Sequence, residues 1–296
     1  MVTKNNTEFV EVRPHISEWR RFRRVFFSRG VVVLGLVILL LLGFVAIFAN
    51  LLAPYDPYEP GVGESLETPN RAHWLGTDLL GRDTLSRILY GSRIALMVGF
   101  VSVTLGGIVG ITLGLVAGFS GGFPYLIIMR SMDSLMCFPG FLLVLLLAAL
   151  LGGGIQNVIV ALSIGAVPGY ARVTCGLTLS LRENDYVLSQ KSMGSGNWRV
   201  MLRHILPNAF PPLLVIITMQ LGGLILAEAG LSFLGIGIKP PGAAWGSMVN
   251  DGYKYLLQAP VLSFAPGVAI MLVVFAFNMV GDGLRDALDP RLRGLL

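Results

Sequence analysis

Residues 31–52 read VVVLGLVILLLLGFVAIFANLL, and no charged side chain interrupts them. As a helix rising about 1.5 Å per residue, the segment reaches across a hydrocarbon core about 30 Å thick. It is apolar on every face, so it lacks the period-two alternation of a membrane β-strand, and a closed barrel is excluded. Five more blocks of this kind lie near 94–118, 126–151, 158–181, 209–234 and 261–281. Hydrophobic residues make up 54% of the 296 positions and charged residues 13%, against roughly a quarter charged in a soluble domain. The expectation is an all-α membrane protein with six transmembrane helices.

Lys and Arg in short loops stay on the cytoplasmic side, which orients the spans. Lys4, Arg13, Arg20, Arg21, Arg23, Arg24 and Arg29 precede the first span; Arg182, Lys191, Arg199 and Arg203 lie in 182–207; Arg285, Arg291 and Arg293 follow the last span. The segment 53–93 instead holds four Arg against six acidic residues and reads as external. The organisation predicted is N-in, C-in: a cytoplasmic arm (1–30), the first span (31–52), an outer loop (53–93), a five-helix core (94–281) containing the cytoplasmic loop 182–207, and a tail (282–296). A cleaved signal peptide competes for the first block, but the block is too long for a signal core, and Ala46-Ile47-Phe48-Ala49 is not a small-x-small cleavage site. In the arm, Ile16, Trp19, Phe22 and Phe26 share one side of a helix whose other side is Arg-rich, which suits the inner membrane interface. That accounts for the net charge of +5 without nucleic acid.

Residues for chemistry are missing from the spans. His15, His73 and His204 all lie outside them, so no Ser/His dyad forms at membrane depth. Asp282 follows Gly281, but Met279 stands where a Gly-x-Gly-Asp motif needs glycine, and Lys191-Ser192 follows Gln190 rather than a phosphate-binding glycine loop. No metal-ligand spacing occurs, and Cys137 and Cys175 read as small hydrophobes. The chain is expected to be no enzyme and to carry no cofactor.

What remains is a few ionisable groups within apolar blocks: Arg130, Asp133, Arg172 and Glu228. Such groups usually face protein or a water-filled path. Arg130 and Asp133, three apart, can pair on one helical face, and a snorkelling ion pair near the cytoplasmic end accounts for them. Arg172 lies a turn beyond Pro168, where a kink can open a cavity. Asp133, Arg172 and Glu228 are the candidates for a translocation path, contact with a partner helix being the other reading of Glu228. Gly106, Gly110, Gly114 and Gly118 repeat every four residues and leave a smooth groove for a neighbouring backbone, in this chain or another.

Residues 183–208 read ENDYVLSQKSMGSGNWRVMLRHILPN. Gly194 suits a helix stop and Ser195 a new N-cap, predicting two short helices at an angle. In the second, Trp198, Met201, Leu202 and Ile205 repeat at i, i+3, i+4, i+7 as an apolar stripe beside Arg199 and Arg203. The stripe needs a cover, either membrane and the chain's own loops or a partner protein.

The frame of Gly194 and Ile205-Leu206-Pro207 resembles the "EAA" loop of bacterial ABC importer permeases, whose helices fit a cleft in the ATPase subunit. Leu188, Ser189 and Gln190 stand at the Glu-Ala-Ala positions, a departure from the pattern, as is Cys175 where relatives often carry a second arginine. Three further segments resemble the second permease subunit of the dipeptide, oligopeptide and nickel importer family. They are His73-Trp74-Leu75-Gly76-Thr77-Asp78 with Gly81-Arg82-Asp83; Leu231-Ser232-Phe233-Leu234-Gly235 with Pro240-Pro241 and Trp245-Gly246; and Gly281-Asp282-Gly283-Leu284-Arg285-Asp286-Ala287-Leu288-Asp289-Pro290. The resemblance implies a type I ABC importer permease fold in the bacterial inner membrane, with Tyr186, Ser189, Gly194, Ser195, Trp198, Met201, Leu202, Ile205 and Pro207 in the ATPase-coupling loop. It implies as partners a second permease, two ATPase subunits that bind ATP and Mg, and an external solute-binding protein. Peptide is the expected cargo; nickel, glutathione or another small solute fits the same motifs. An ion-driven secondary transporter is the competing class, but it should show more charged or broken helices at the midplane.

In a background lacking Cys137 and Cys175, an impermeant thiol reagent applied to intact cells should label a cysteine placed at Ser65 and not one at Ser195. The opposite pattern overturns the topology.

Overall fold

Asp83 closes the first outer loop by capping a helix that the hydropathy pattern starts ten residues late. In the computed structural model, which describes residues 18–288, its carboxylate accepts from Ser86 N (2.8 Å) and Ser86 Oγ (2.7 Å). This satisfies orphan donors of the first turn, so the helix begins at Thr84 and not near Ile94. The helices are α1 (Glu18–Phe26), α2 (Gly30–Leu52), α3 (Thr84–Ser120), α4 (Gly122–Met136), α5 (Gly140–Leu151), α6 (Ile155–Arg182), α7 (Asp185–Ser192), α8 (Asn197–Val200), α9 (Leu206–Phe233), α10 (Trp245–Tyr253) and α11 (Val261–Leu288). The described residues contain no strand beyond the isolated bridge between Thr77 and Asp83.

Among the described residues, five helical stretches are long and apolar enough to cross a membrane, or six with the bent pair of α4 and α5 counted as one span. The block expected as one helix over 126–151 turns by 90° between α4 and α5. Pro139 lacks an N–H and itself takes ψ of 126°, outside the helical region, so the helix stops and restarts at Gly140. α2 is apolar on all sides, and Leu34, Leu40, Leu41 and Ile47 are left exposed, as a lipid-facing span requires.

The glycine repeat finds its partner inside the chain. Gly106, Gly110, Gly114 and Gly118 of α3 lie on the backbone of α6. A Cβ at Gly106 would stand 2.8 Å from Ser163 O, one at Gly110 2.7 Å from Val167 O, and one at Gly118 2.8 Å from Cys175 O. At Gly114 it would run into Ala171 O. Without side chains the two helices approach to backbone contact, where van der Waals packing replaces a hydrophobic drive that lipid does not supply. Cys175 is buried in this seam and Cys137 is exposed; both are free thiols.

Guanidinium groups bond helix carbonyls where the regular pattern is interrupted. Arg182 Nη1 donates to Gly118 O (2.9 Å) at the inner end of the seam. Arg93 of α3 donates to Ile47 O (2.7 Å) and to Ala46 O of α2, just before the kink at Phe48. On the outer side, Trp245 of α10 donates from Nε1 to Ile88 O (3.0 Å), over the surface that Gly91 leaves flat. His73 and Asp83, both buried, pair at 2.9 Å, while Gly76 and Gly81 take positive φ of 73° and 70°. The outer-loop motif is thus a folded plug at the start of α3.

At the inner face, Phe22 and Phe26, read from sequence as facing the membrane interface, pack with Val32, Leu284 and Ala287. Ile16 lies outside the described residues. α11 runs on to Leu288, past the expected end near 281, and Asp286 pairs with Arg29 at 2.7 Å. Asp289 and Pro290 lie outside the described residues.

Gly110→Ala and Gly114→Ala should each destabilise the folded chain by about 1–3 kcal/mol through overpacking. Gly176→Ala, where an added Cβ meets nothing within 4 Å, should be neutral. Thermal unfolding of the detergent-purified variants measures this, and equal midpoints for all three would refute the seam.

Candidate functional site

The loop expected on the cytoplasmic side forms around Gly194. Its φ of +79° allows Gly194 N to donate to Lys191 O (2.9 Å) and Ser195 N to donate to Gln190 O (3.1 Å), a Schellman close of α7. The expected N-cap role of Ser195 is not taken: Gly196 occupies that position, and Ser195 Oγ instead donates to Gln190 Oε1 (3.1 Å). The second short helix is also not separate from the following span. From α8 the chain passes through a π turn, Met201–Ile205, straight into α9. Leu206 N donates to Met201 O, and this wider turn lets the helix continue past Pro207, which has no N–H to give.

The π turn also splits the predicted stripe. Met201 (4% exposed) and Ile205 (0%) are buried with Val187, Val200, Leu115 and Phe119. Trp198 (61%) and Leu202 (54%) point outward, one turn apart. Tyr186 and Met193 are exposed as well, as are Ser189 and Pro207. The four-residue stripe is therefore half core and half surface. Its buried half fastens the loop to the inner end of α3, where Lys191 Nζ also lies 4.5 Å from the centre of the Phe119 ring, a cation–π contact.

A second feature is a groove of about 800 Å³ at the α4–α5 break, closed behind by α6 and α9. Phe138 and Phe141 flank it; Gly165, Pro168 and Gly169 of α6, with Gly223, Ala227 and Gly230 of α9, keep it open. α6 is one helix through Pro168. Gln220 supplies the single polar side chain of the lining. Sequence reasoning passed over Gln220 because only ionisable residues were weighed; a lone amide at i, i+3, i+7, i+10 with Gly223, Ala227 and Gly230 was the available signal.

Three of the four deep charges meet in one cluster, which the groove lining does not include. Arg172 Nη2 donates to Asp133 Oδ1 at 2.5 Å, and Arg130 Nη1 lies 3.9 Å from Asp133 Oδ2. Asp133 thus pairs across helices with Arg172 as well as along α4 with Arg130. Glu228 is elsewhere: it is buried (2% exposed), is not part of the groove lining, and accepts from Ser232 Oγ at 2.7 Å. That same Oγ receives Ile238 N (3.3 Å), so Glu228 anchors the turn that follows α9. Among the described residues, no group of three or more His, Cys, Asp or Glu could hold a metal ion.

Residues 110–294 match the family described as binding-protein-dependent transport system inner membrane component, and residues 17–69 match the N-terminal TM domain of oligopeptide transport permease C. The glutathione transport system permease protein GsiD of Pectobacterium atrosepticum is 45% identical over 276 residues, 93% of this chain and 92% of that protein. The dipeptide transport system permease protein DppC of Alkalihalophilus pseudofirmus is 40% identical over 278 residues, 94% of this chain and 91% of that protein. The fold is similar to a chain of the MetNI methionine ABC transporter in an inward facing conformation. That likeness has a TM-score of 0.57 at 20% identity and covers 69% of this chain and 97% of the other.

Ile205→Ala should destabilise the isolated chain by about 2–5 kcal/mol, the cost of a core cavity. Trp198→Ala should leave the unfolding midpoint unchanged, since its ring is already exposed. Equal destabilisation by both would contradict the split of the stripe.

Proposed function

We propose, for a chain that belongs to the family of binding-protein-dependent transport system inner membrane components and is a permease subunit of an ABC importer, that the cargo is a short peptide. The chain is a multi-pass component of the inner membrane, and its family is not itself catalytic. In the proposed assembly it lines the path with a second, different permease. Two ATPase subunits bind ATP and Mg and dock on the coupling loop, and a solute-binding protein delivers cargo from outside. The names of relatives at 45% and 40% identity support the cargo, being glutathione and dipeptide permeases. The groove supports it too, because one neutral amide among apolar and glycine positions suits backbone amides of varied sequence.

One observation carries the coupling role: Trp198 and Leu202 remain exposed while Met201 and Ile205, on the same turns, are core. An exposed aromatic patch fastened to α3 by a buried plug is suited to receive a partner and pass its movement to the spans. The surface around it is basic, with Arg199 and Arg203 exposed.

Trp198→Ala should weaken ATPase association about thirty-fold, the cost of about 2 kcal/mol for a buried interface aromatic. Gly194→Val should act differently, by forcing a β-branched residue to a φ that it resists. Co-purification and ATP-dependent uptake of labelled trialanine or glutathione by the reconstituted complex measure both. Normal assembly and transport by both variants would overturn the coupling assignment; ATP-dependent uptake of neither solute by the wild type would overturn the cargo.

A further inference from the structure

On α6, Gly165, Pro168 and Gly169 line the groove, and Arg172 continues that face at i+7, one turn toward the cytoplasmic end. On α4, Met136 lines the groove, and Asp133 precedes it by three residues on the same face. The pair joining Asp133 to Arg172 therefore lies one helical turn beyond lining residues on both walls, just past the inner end of the groove and outside its lining. A purely structural ion pair in a span is sealed between helices, because exposed charge in hydrocarbon is costly. Here the side chains of Arg172 and Asp133 are 51% and 41% exposed. The groove lining itself holds no charged residue, so a charged solute leaving its inner end meets the cation of Arg172 one turn further on.

We propose that Arg172 receives a carboxylate of the transported peptide, which exchanges with Asp133 as the solute leaves the groove for the cytoplasm; this rests on reading the groove as a peptide path. The third member of the cluster makes the exchange cheap. When a solute carboxylate takes the planar, bidentate guanidinium of Arg172, Asp133 keeps Arg130, already 3.9 Å away. Two cations sharing one carboxylate leave room for a second carboxylate. Return of Asp133 to Arg172 then displaces the solute, so the site holds its cargo only transiently.

The test uses the complete complex in proteoliposomes, with labelled trialanine presented on saturating binding protein and subunit retention checked by co-purification. Arg172→Gln should reduce uptake at least tenfold, while Arg172→Lys, which keeps a cation, should lose less. The double variant Asp133→Arg with Arg172→Asp keeps an ion pair but moves the cation to α4, and should not restore uptake. Asp133→Asn removes the competitor without removing a cation, and should raise trialanine retained by the ATP-free complex several-fold. Uptake by Arg172→Gln within twofold of wild type, rescue by the charge swap, or unchanged retention in Asp133→Asn would each overturn the assignment. So would a defect seen in phosphatidylglycerol vesicles but not in phosphatidylcholine ones, because it would make a lipid headgroup the partner. A wild-type complex that takes up neither trialanine nor glutathione overturns the peptide reading and this assignment with it. Normal wild-type uptake with an unaffected Arg172→Gln overturns this assignment alone.

Discussion

Backbone contact between α3 and α6 along Gly106, Gly110, Gly114 and Gly118 is the constraint on which the rest of the molecule depends. In lipid, two apolar helices gain little by hiding their side chains from hydrocarbon, so their association rests on close packing. Every fourth residue without a Cβ provides it over about three helical turns. The two helices therefore behave as one rigid member, and other elements are positioned by attachment to it. At the outer end the capped start of α3 receives Trp245. At the inner end Arg182 closes the seam, and Leu115 and Phe119 receive the cytoplasmic loop.

That attachment has a mechanical consequence. Val187 of α7 and Met201 and Ile205 of the π turn are buried against α3, while α8 and α9 form one continuous helical path into the membrane. A force on the exposed Trp198 surface thus has two routes inward, one through the apolar plug to the α3–α6 pair and one along the axis of α9. Both reach the groove, because α6 and α9 form its back wall. Packed interiors transmit displacement with little compression.

Polar groups are used sparingly and mostly to complete backbone hydrogen bonding. Arg93 bonds carbonyls at the kink of α2 and Arg182 one at the end of α3, Asp83 satisfies a helix start, and Glu228 with Ser232 holds the turn after α9. The cluster of Arg130, Asp133 and Arg172 differs, since none of its charged atoms caps a helix and all three side chains are exposed.

Composition and hydropathy were enough to determine the helical class, the number of apolar blocks and the close packing of the glycine face, because each depends on residue type at short, regular spacing. The positive φ at Gly194 was legible for the same reason. Tertiary structure alone decided which helix fills the glycine groove, because any small-residue backbone satisfies the pattern. It also decided that Phe22 and Phe26 cover α11, and that Asp133 pairs across to Arg172 as well as along its own helix. The stripe of Trp198, Met201, Leu202 and Ile205 shows the reason. Its periodicity assumes 3.6 residues per turn, but a π turn accommodating Pro207 changes the local pitch, and the inner end of α3 then takes one half of the stripe as core and leaves the other exposed. The 90° break at Pro139 follows the same logic: hydropathy counts apolar length, whereas the direction of the chain is set by a missing N–H and by what packs on either side.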